Sequence, residues 1–323
     1  MFRSELQPVD VLKGVNGLGG STINRLKKAG FHTVESIVVT PLRELIQKSG
    51  IGDDTAERVL DAARSLVSVD FITAKELYEQ RKNAMKLTTG CKALDELLGG
   101  GVETQAIIEL IGEYGAGKSQ ICMMLSATCQ LPKERGGLEG SVLFIDTEGT
   151  FSPKRVYAMA QGLELDPEQV LNNIIYARAY NSDHQILIVD NCSRVVEEHG
   201  VKLIVVDSVV SHFRGEYVGR ENLAERQQKL NMHLHKLLRL AEVYNLAVVV
   251  TNQVLANPQA FFSDPTRPAG GNVLAHASTH RVLLRKKKGN LRQATVIDSP
   301  SLPSDRTAVF MITSRGIEDA PEG

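Results

Sequence analysis

The chain has 323 residues, 42% hydrophobic and 23% charged, with a formal net charge of −1. That length suits one large domain, or a large one beside a small one, with enough apolar residues for a full core. No apolar stretch reaches the roughly 18 residues of a membrane span. Met1 to Asp10 lacks the apolar run of a secretory signal, and Cys91, Cys122, Cys129 and Cys192 form no C-x-x-C pair. A cytoplasmic chain with reduced, structural thiols and no membrane partner is therefore expected. The net charge points to no partner, but its distribution is uneven. From Phe213 to Arg292 there are 13 Lys or Arg against 5 Asp or Glu. This stretch is either a polyanion-binding face or a solvated basic surface.

Residues 1–66 read as a small helical domain. Ile23, Leu26 and Phe31, then Leu42, Leu45 and Ile46, recur at helical spacing between glycine turns. Gly17-Leu18-Gly19 and Gly50-Ile51-Gly52 each lead into a helix with Ser or Thr near its start, the pattern of a helix-hairpin-helix. Such glycines let backbone N–H groups approach a DNA phosphate, although short glycine turns also join helices for geometric reasons alone. Residues 67–85 read as a linker. From residue 86 to 323 apolar runs alternate with amphipathic helices. The runs are Ala106 to Ile111, Val142 to Asp146, Ile174 to Ala177, Leu203 to Asp207 and Leu246 to Thr251. The helices fall near Gln120 to Cys129, Pro153 to Gln161, His184 to Glu198 and Asn222 to Val243. This alternation predicts an α/β fold, a mostly parallel sheet covered on both faces. Ile186 to Asp190 is apolar too, but a crossover is needed there, so it is assigned to the helix. Arg281 to Arg285, Ala294 to Asp298 and Ala308 to Ile312 read as short strands extending the sheet.

Gly112-Glu113-Tyr114-Gly115-Ala116-Gly117-Lys118-Ser119 fits the phosphate-binding loop G-x-x-x-x-G-K-[ST], between a strand and a helix as the motif requires. Its backbone N–H groups would wrap the phosphates of ATP, Lys118 would add a point charge, and Ser119 would coordinate Mg²⁺. Asp207 ends an apolar run and is the natural anchor for the metal. The carboxylate that polarises the attacking water is Glu148 or Asp146, both in Val142-Leu-Phe-Ile-Asp-Thr-Glu-Gly149 at a strand tip. Gln253, after the strand ending Val250-Thr251, either senses the γ-phosphate or simply terminates the strand. His233 and His235 lie two apart on one helix and make a poor metal pair.

At these residues the chain resembles the archaeal RadA recombinases and their eukaryotic relatives, within the RecA-like family of DNA strand-exchange proteins. The resemblance runs nearly end to end. It is carried by Gly112–Gln120, Asp146–Phe151, Ala177–Asn181, Ala224–Gln228, Thr251–Val254, Gly270–His276 and Asp298–Pro303. It implies a RecA-like P-loop core, Mg²⁺ and ATP as cofactors, and filaments on single-stranded DNA that pair it with duplex DNA. Recombination mediator proteins would be further partners. By resemblance Glu148 is the water-activating residue and Arg155 stacks on adenine. Gln120 closes the phosphate-loop motif, and Gln253 links the γ-phosphate to the second DNA loop, Val254 to Asn272. The first DNA loop is Phe213 to Glu221, with Arg214, Arg220 and Arg226 on phosphates. His276 and Asp298 to Pro303 complete the ATP site of the neighbouring subunit. Phe71 and Ala74 match a Phe-x-x-Ala polymerisation motif. Glu221 stands where relatives usually carry Gly, which puts the first loop's local geometry in doubt. Met1 to Asp10 is short beside the N-terminal extension of eukaryotic members. Two other functions share this site, a ring-forming RecA-like DNA motor and a nucleotide-switched mediator or paralogue.

Overall fold

The structure, a computed structural model, describes residues 6–67, 71–82, 84–256, 266–269 and 271–321. The chain forms two compact units, Met1–Asn83 with Asp190–Glu198, and Ala84–Val189 with His199–Gly323. The first unit carries α1 (Gly20–Lys28), α2 (Val34–Val38), α3 (Leu42–Ser49), α4 (Asp53–Leu66) and α5 (Ala74–Lys82). Its two Gly-apolar-Gly turns hold Leu18 and Ile51 buried among Ile23, Leu26, Val59 and Leu60. The central residue of each turn is thus a core anchor, and the glycines stay outside. The linker region is partly helical. Thr73 and Glu76 form a reciprocal cap in which the Thr73 N–H donates to Glu76 Oε2 at 2.8 Å and the Glu76 N–H to Thr73 Oγ1 at 3.2 Å. That cap starts α5 at Ala74.

The second unit opens with β1 (Lys86–Leu87), α6 (Lys92–Leu97), β2 (Val102–Glu103) and β3 (Ile107–Gly112). There follow α7 (Lys118–Thr128), β4 (Ser141–Asp146), α8 (Pro153–Gly162), α9 (Pro167–Asn172) and β5 (Ile174–Arg178). The crossover to β6 (Val201–Asp207) is two helices, α10 (Ser182–Asp190) and α11 (Cys192–His199), parted by a turn at Asn191. The sequence predicts one helix there; the apolar run Ile186 to Asp190 is helical as expected. Next come α12 (Ser211–Glu216), α13 (Leu223–Tyr244), β7 (Ala247–Ala256), β8 (Thr266–Pro268) and α14 (Gly271–Ala277). The chain ends with β9 (His280–Lys286), β10 (Leu291–Asp298), β11 (Thr307–Ile312) and β12 (Ile317–Asp319).

The main sheet runs β12-β11-β10-β9-β3-β7-β6-β4-β5, with β8 pairing β7. Strands β9, β3, β7, β6, β4 and β5 are parallel, and β10 to β12 extend the sheet antiparallel. Strands buried on both faces need continuous apolar runs, and β3 is buried along all six residues. No helix among the described residues is long and apolar enough to cross a membrane. Phe144 on β4 is fully buried, and its ring lies 4.6 Å from that of Phe151. Phe144→Ala should therefore destabilise the core by about 3–5 kcal/mol in denaturant titration, through lost transfer energy and the cavity left behind.

Candidate nucleotide site and nucleic-acid loops

Strand β3 stops at Gly112, and the chain turns through Gly115 and Gly117 at φ of 77° and 104° into α7. The φ of 104° at Gly117 favours glycine, and a Cβ there would also crowd Ile312 Cδ1 at 3.0 Å. The first residues of α7 are Lys118, Ser119 and Gln120, whose amides have no partner within the helix. Lys118 Nζ donates to the carbonyls of Gly112 at 2.8 Å and Glu113 at 3.0 Å. Burial lowers its pKa below the ordinary 10.5, while the carboxylates of Asp207 and Glu148 push it back up. Glu113, Tyr114 and Gly115 are exposed, and Ala116 and Gly117 are buried.

Parallel register aligns the other strand tips with this loop. Gly112 pairs with Gln253 and Asp146 with Asp207. Asp207 is buried, and its Oδ1 accepts the Thr251 hydroxyl at 2.5 Å. Among the described residues nothing donates to its buried Oδ2. Burial raises its pKa above the ordinary 3.8, against the opposing pull of the Ser119 and Thr251 hydroxyls. A buried carboxylate oxygen without a donor, beside a serine hydroxyl, suits a divalent cation.

Asp146 has the opposite environment. It is fully buried and accepts the backbone N–H groups of Glu148, Gly149, Thr150 and Phe151. It also accepts the Tyr176 hydroxyl at 3.1 Å and Arg178 Nη1 at 3.0 Å. With these donors on two oxygens it braces the loop. Glu148 is left exposed, and its Oε1 accepts Gln253 Nε2 at 3.0 Å. Gln253 does not follow the strand, as the sequence suggests, but lies inside β7. That strand continues to Ala256 because β8 pairs with its far end, Val254 opposite Pro268.

Arg155 sits at the start of α8. Its Nε donates to Gln120 Oε1 at 2.7 Å, Nη1 to the Ser314 carbonyl at 2.5 Å and Nη2 to the Thr313 carbonyl at 2.6 Å. Bonds on all three nitrogens fix the plane of the guanidinium. His276 is exposed on α14, Asp298 is exposed at the end of β10, and Pro303 is exposed just beyond.

The first loop is shorter than predicted. Phe213 and Arg214 belong to α12, with Phe213 fully buried and its ring 5.7 Å from that of His233. An apolar ring facing the core pulls this half of the segment into the helix. Arg214 and Arg226 are half-buried, Arg220 and Glu221 exposed. Of the second loop, residues 257–265 and 270 lie outside the described residues. His233 is buried beside Gln185, and His280 is buried between Glu103 Oε2 at 3.1 Å and Ser299 Oγ at 2.9 Å. Neither belongs to the site. Sequence reasoning missed Thr251 and Arg178, the groups that hold the two aspartates, although both lie inside the quoted motifs Thr251–Val254 and Ala177–Asn181.

A phosphate loop after β3, with acidic residues at the tips of β4 and β6, defines a RecA-like P-loop ATPase. The Rad51 family model matches residues 80–320, and a SAM-like helix-hairpin-helix tandem matches residues 9–65. The chain is 52% identical over 303 residues to the DNA repair and recombination protein RadA of Aeropyrum pernix, covering 94% of this chain and 95% of that one. It is 50% identical over 319 residues to the protein of the same name from Metallosphaera sedula, covering 98% of each. The chain belongs to the Rad51 family and is a recombinase of the archaeal RadA type.

The raised pKa of Asp207 has a stability consequence. As pH rises, the unfolded carboxyl ionises first, so stability falls between the unfolded and folded pKa values and stays reduced above them. Without nucleotide or metal, Asp207→Asn should melt above wild type at pH 8, and the gap should close below about pH 4. Thermal melts across that range provide the check.

Proposed function

We propose that the chain is a DNA-dependent ATPase that assembles as a helical filament on single-stranded DNA, pairs it with homologous duplex DNA and promotes strand exchange. The observation that carries this reading is the 3.0 Å hydrogen bond from Gln253 to Glu148. It joins a carboxylate suited to general-base work to a residue at the root of the second loop, so turnover and DNA contact share one bond.

Mg-ATP, when bound, supplies the phosphoanhydride to be cleaved and a cation that neutralises its oxygens. The chain binds, orients and moves a proton. Amides of Gly112 to Gln120 and the Lys118 ammonium hold the phosphates. Ser119 and Asp207 hold the metal, a role supported by the donor-free Oδ2 of Asp207. The fixed guanidinium of Arg155 offers a flat cation to the base. Glu148 takes the proton of the attacking water, and Gln253 steadies its carboxylate. His276, Asp298 and Pro303 act across the subunit boundary on the neighbour's ATP.

Arg214, Arg220 and Arg226 contact DNA phosphates, which position the strand without reading sequence. Phe71 is 98% exposed, and Ala74 begins α5 three residues later. Such a bare aromatic ring suits a pocket on a second copy of the chain. A contact repeated head to tail without closing gives a helical filament. Mediator proteins would act on the same filament, and the setting is the cytoplasm.

Two variants test this reading. Glu148→Gln should keep ATP affinity while ATP turnover falls by about 10²–10⁴-fold in a phosphate-release assay, because the amide keeps the shape but accepts no proton. Unchanged turnover would assign the base elsewhere. Phe71→Glu should leave the fold intact and abolish filaments in electron micrographs with single-stranded DNA and a non-hydrolysable ATP analogue, since a charge in an apolar pocket costs several kcal/mol. Closed rings from the wild-type protein would support a translocating motor instead.

A further inference from the structure

Glu216, the last residue of α12, grips the start of α10. Its Oε1 accepts the Ser182 N–H at 2.7 Å, and its Oε2 accepts the Ser182 hydroxyl. The neighbouring Tyr217 hydroxyl accepts Lys229 Nζ, and Lys229 pairs with Asp183 at 3.4 Å. Two consecutive residues at the root of the first loop thus hold two consecutive residues of α10. His212, also on α12, brings its Nε2 to 3.0 Å from the Ala179 carbonyl.

The chemistry of this grip is specific. The first amides of a helix lack partners within it, and negative charge is favoured at that end. Asn181 Oδ1 accepts the His184 N–H at 2.7 Å, and the Glu216 carboxylate takes the Ser182 N–H. Ser182 is fully buried while Glu216 itself is exposed, so the bond sits at the edge of the core, where the carboxylate's charge and its two contacts with one residue strengthen it. From Ser182 the backbone leads back to β5, and there the bonds continue. The Ala179 N–H donates to the Asp146 carbonyl at 2.9 Å, and Arg178 Nη1 donates to Asp146 Oδ1 at 3.0 Å. Asp146 Oδ1 in turn accepts the Glu148 N–H at 3.0 Å.

We infer that Glu216 is a positioning residue that couples the first loop to Glu148 through Ser182, Arg178 and Asp146. DNA held at that loop and nucleotide held at the phosphate loop then influence each other through this latch. The inference rests on the proposed roles of the first loop and of Glu148. A coupling needs an element with two arrangements. Glu216 lies between Gly215 and Gly219, the latter at a φ of 93°, so the segment can turn while α10 and β5 stay packed.

The test compares wild type, Glu216→Gln, Ser182→Ala and the double variant. ATP turnover is measured with and without single-stranded DNA, and DNA affinity with ADP and with an ATP analogue. Glutamine keeps the shape but turns an N–H toward Ser182. Stimulation of turnover by DNA should fall by at least about fivefold in Glu216→Gln, the lower range of a typical coupling. The ratio of DNA affinities in the two nucleotide states should shrink by a similar factor. Ser182→Ala, which removes the hydroxyl and keeps the amide, should lose part of the stimulation with DNA-free turnover unchanged. The double variant should be no worse than Glu216→Gln, because both act on one bond set. Full wild-type stimulation in Glu216→Gln overturns the inference. So does an equal loss with and without DNA, which would mark a general structural role. If Glu216→Gln does not fold, Ser182→Ala decides, and unchanged stimulation there overturns it. Wild type without any stimulation by DNA would instead bring down the functional reading itself.

Discussion

Parallel pairing of β4, β6, β7 and β3 carries the carboxyl ends of four strands to one edge of the sheet, and the chemistry of the core depends on that alignment. A parallel ladder has uniform direction, so every strand delivers its last residue on the same side. Register then decides which residues meet there. Gly112 lies opposite Gln253 and Asp146 opposite Asp207, while Val206 opposite Val250 locks the two pairs together. A one-residue slip of β7 would turn Gln253 to the other face and take it away from Glu148. The bulk of the apolar sheet therefore does more than bury area. Its β-branched runs fix the phase on which a 3.0 Å hydrogen bond between two distant segments relies.

The two buried aspartates at this edge show how environment separates roles that residue type alone leaves equivalent. Asp146 is surrounded by donors, so its charge is satisfied and it shapes the loop that presents Glu148. Asp207 keeps one oxygen without a donor, and burial disfavours its ionised form. Left alone, such a group is a stability cost; beside the Ser119 hydroxyl it offers an oxygen ligand to a divalent cation. Deeper in the same sheet Glu109 is also fully buried, but Asn252 and Arg281 both donate to it at 2.7 Å. Of these three buried acids, the one with an unmet lone pair is the one beside the phosphate loop, where a local rule broken without compensation points to function.

Much of this was legible in the sequence. The central apolar runs read correctly because parallel strands buried on both faces leave little room for polar residues, and the terminal strands β10 and β11 because their apolar residues alternate between a buried and an open face. The turn from β3 into α7 read correctly because its glycines answer to backbone demands that a sequence records. Where reading failed, the deciding contact was between residues far apart in the chain. On residue type alone Gln253 is either a γ-phosphate sensor or a strand terminator, and its place inside β7 follows from pairing with β8, a strand only three residues long. The resemblance places Phe213 in the first DNA loop, and its burial beside His233, twenty positions on, leaves no mark in local pattern that would reveal α12. Asp146 and Glu148 stayed rivals on spacing, since saturation of Asp146 requires Tyr176 and Arg178 from the next strand. β12, short and at the sheet edge, carries no periodicity at all.

The two candidate DNA loops reach Glu148 by different kinds of link. The second loop departs from β7, and Gln253 reaches Glu148 directly through one exposed hydrogen bond. The first departs from α12, and its link passes from the exposed Glu216 carboxylate to the buried Ser182 before arriving at the Asp146 brace. An exposed bond between neutral and charged groups forms and breaks readily, so it suits a group that must respond at each turnover. A carboxylate that makes two charge-assisted bonds to one buried residue is harder to detach, so under the proposed coupling it suits a distinction between loop arrangements. Glu148 thus stands where a direct contact from one loop meets the Asp146 frame linked to the other. Under the proposed reading, water activation by Glu148 depends on both supports, since the Gln253 bond holds its carboxylate and the Asp146 bond holds its backbone N–H.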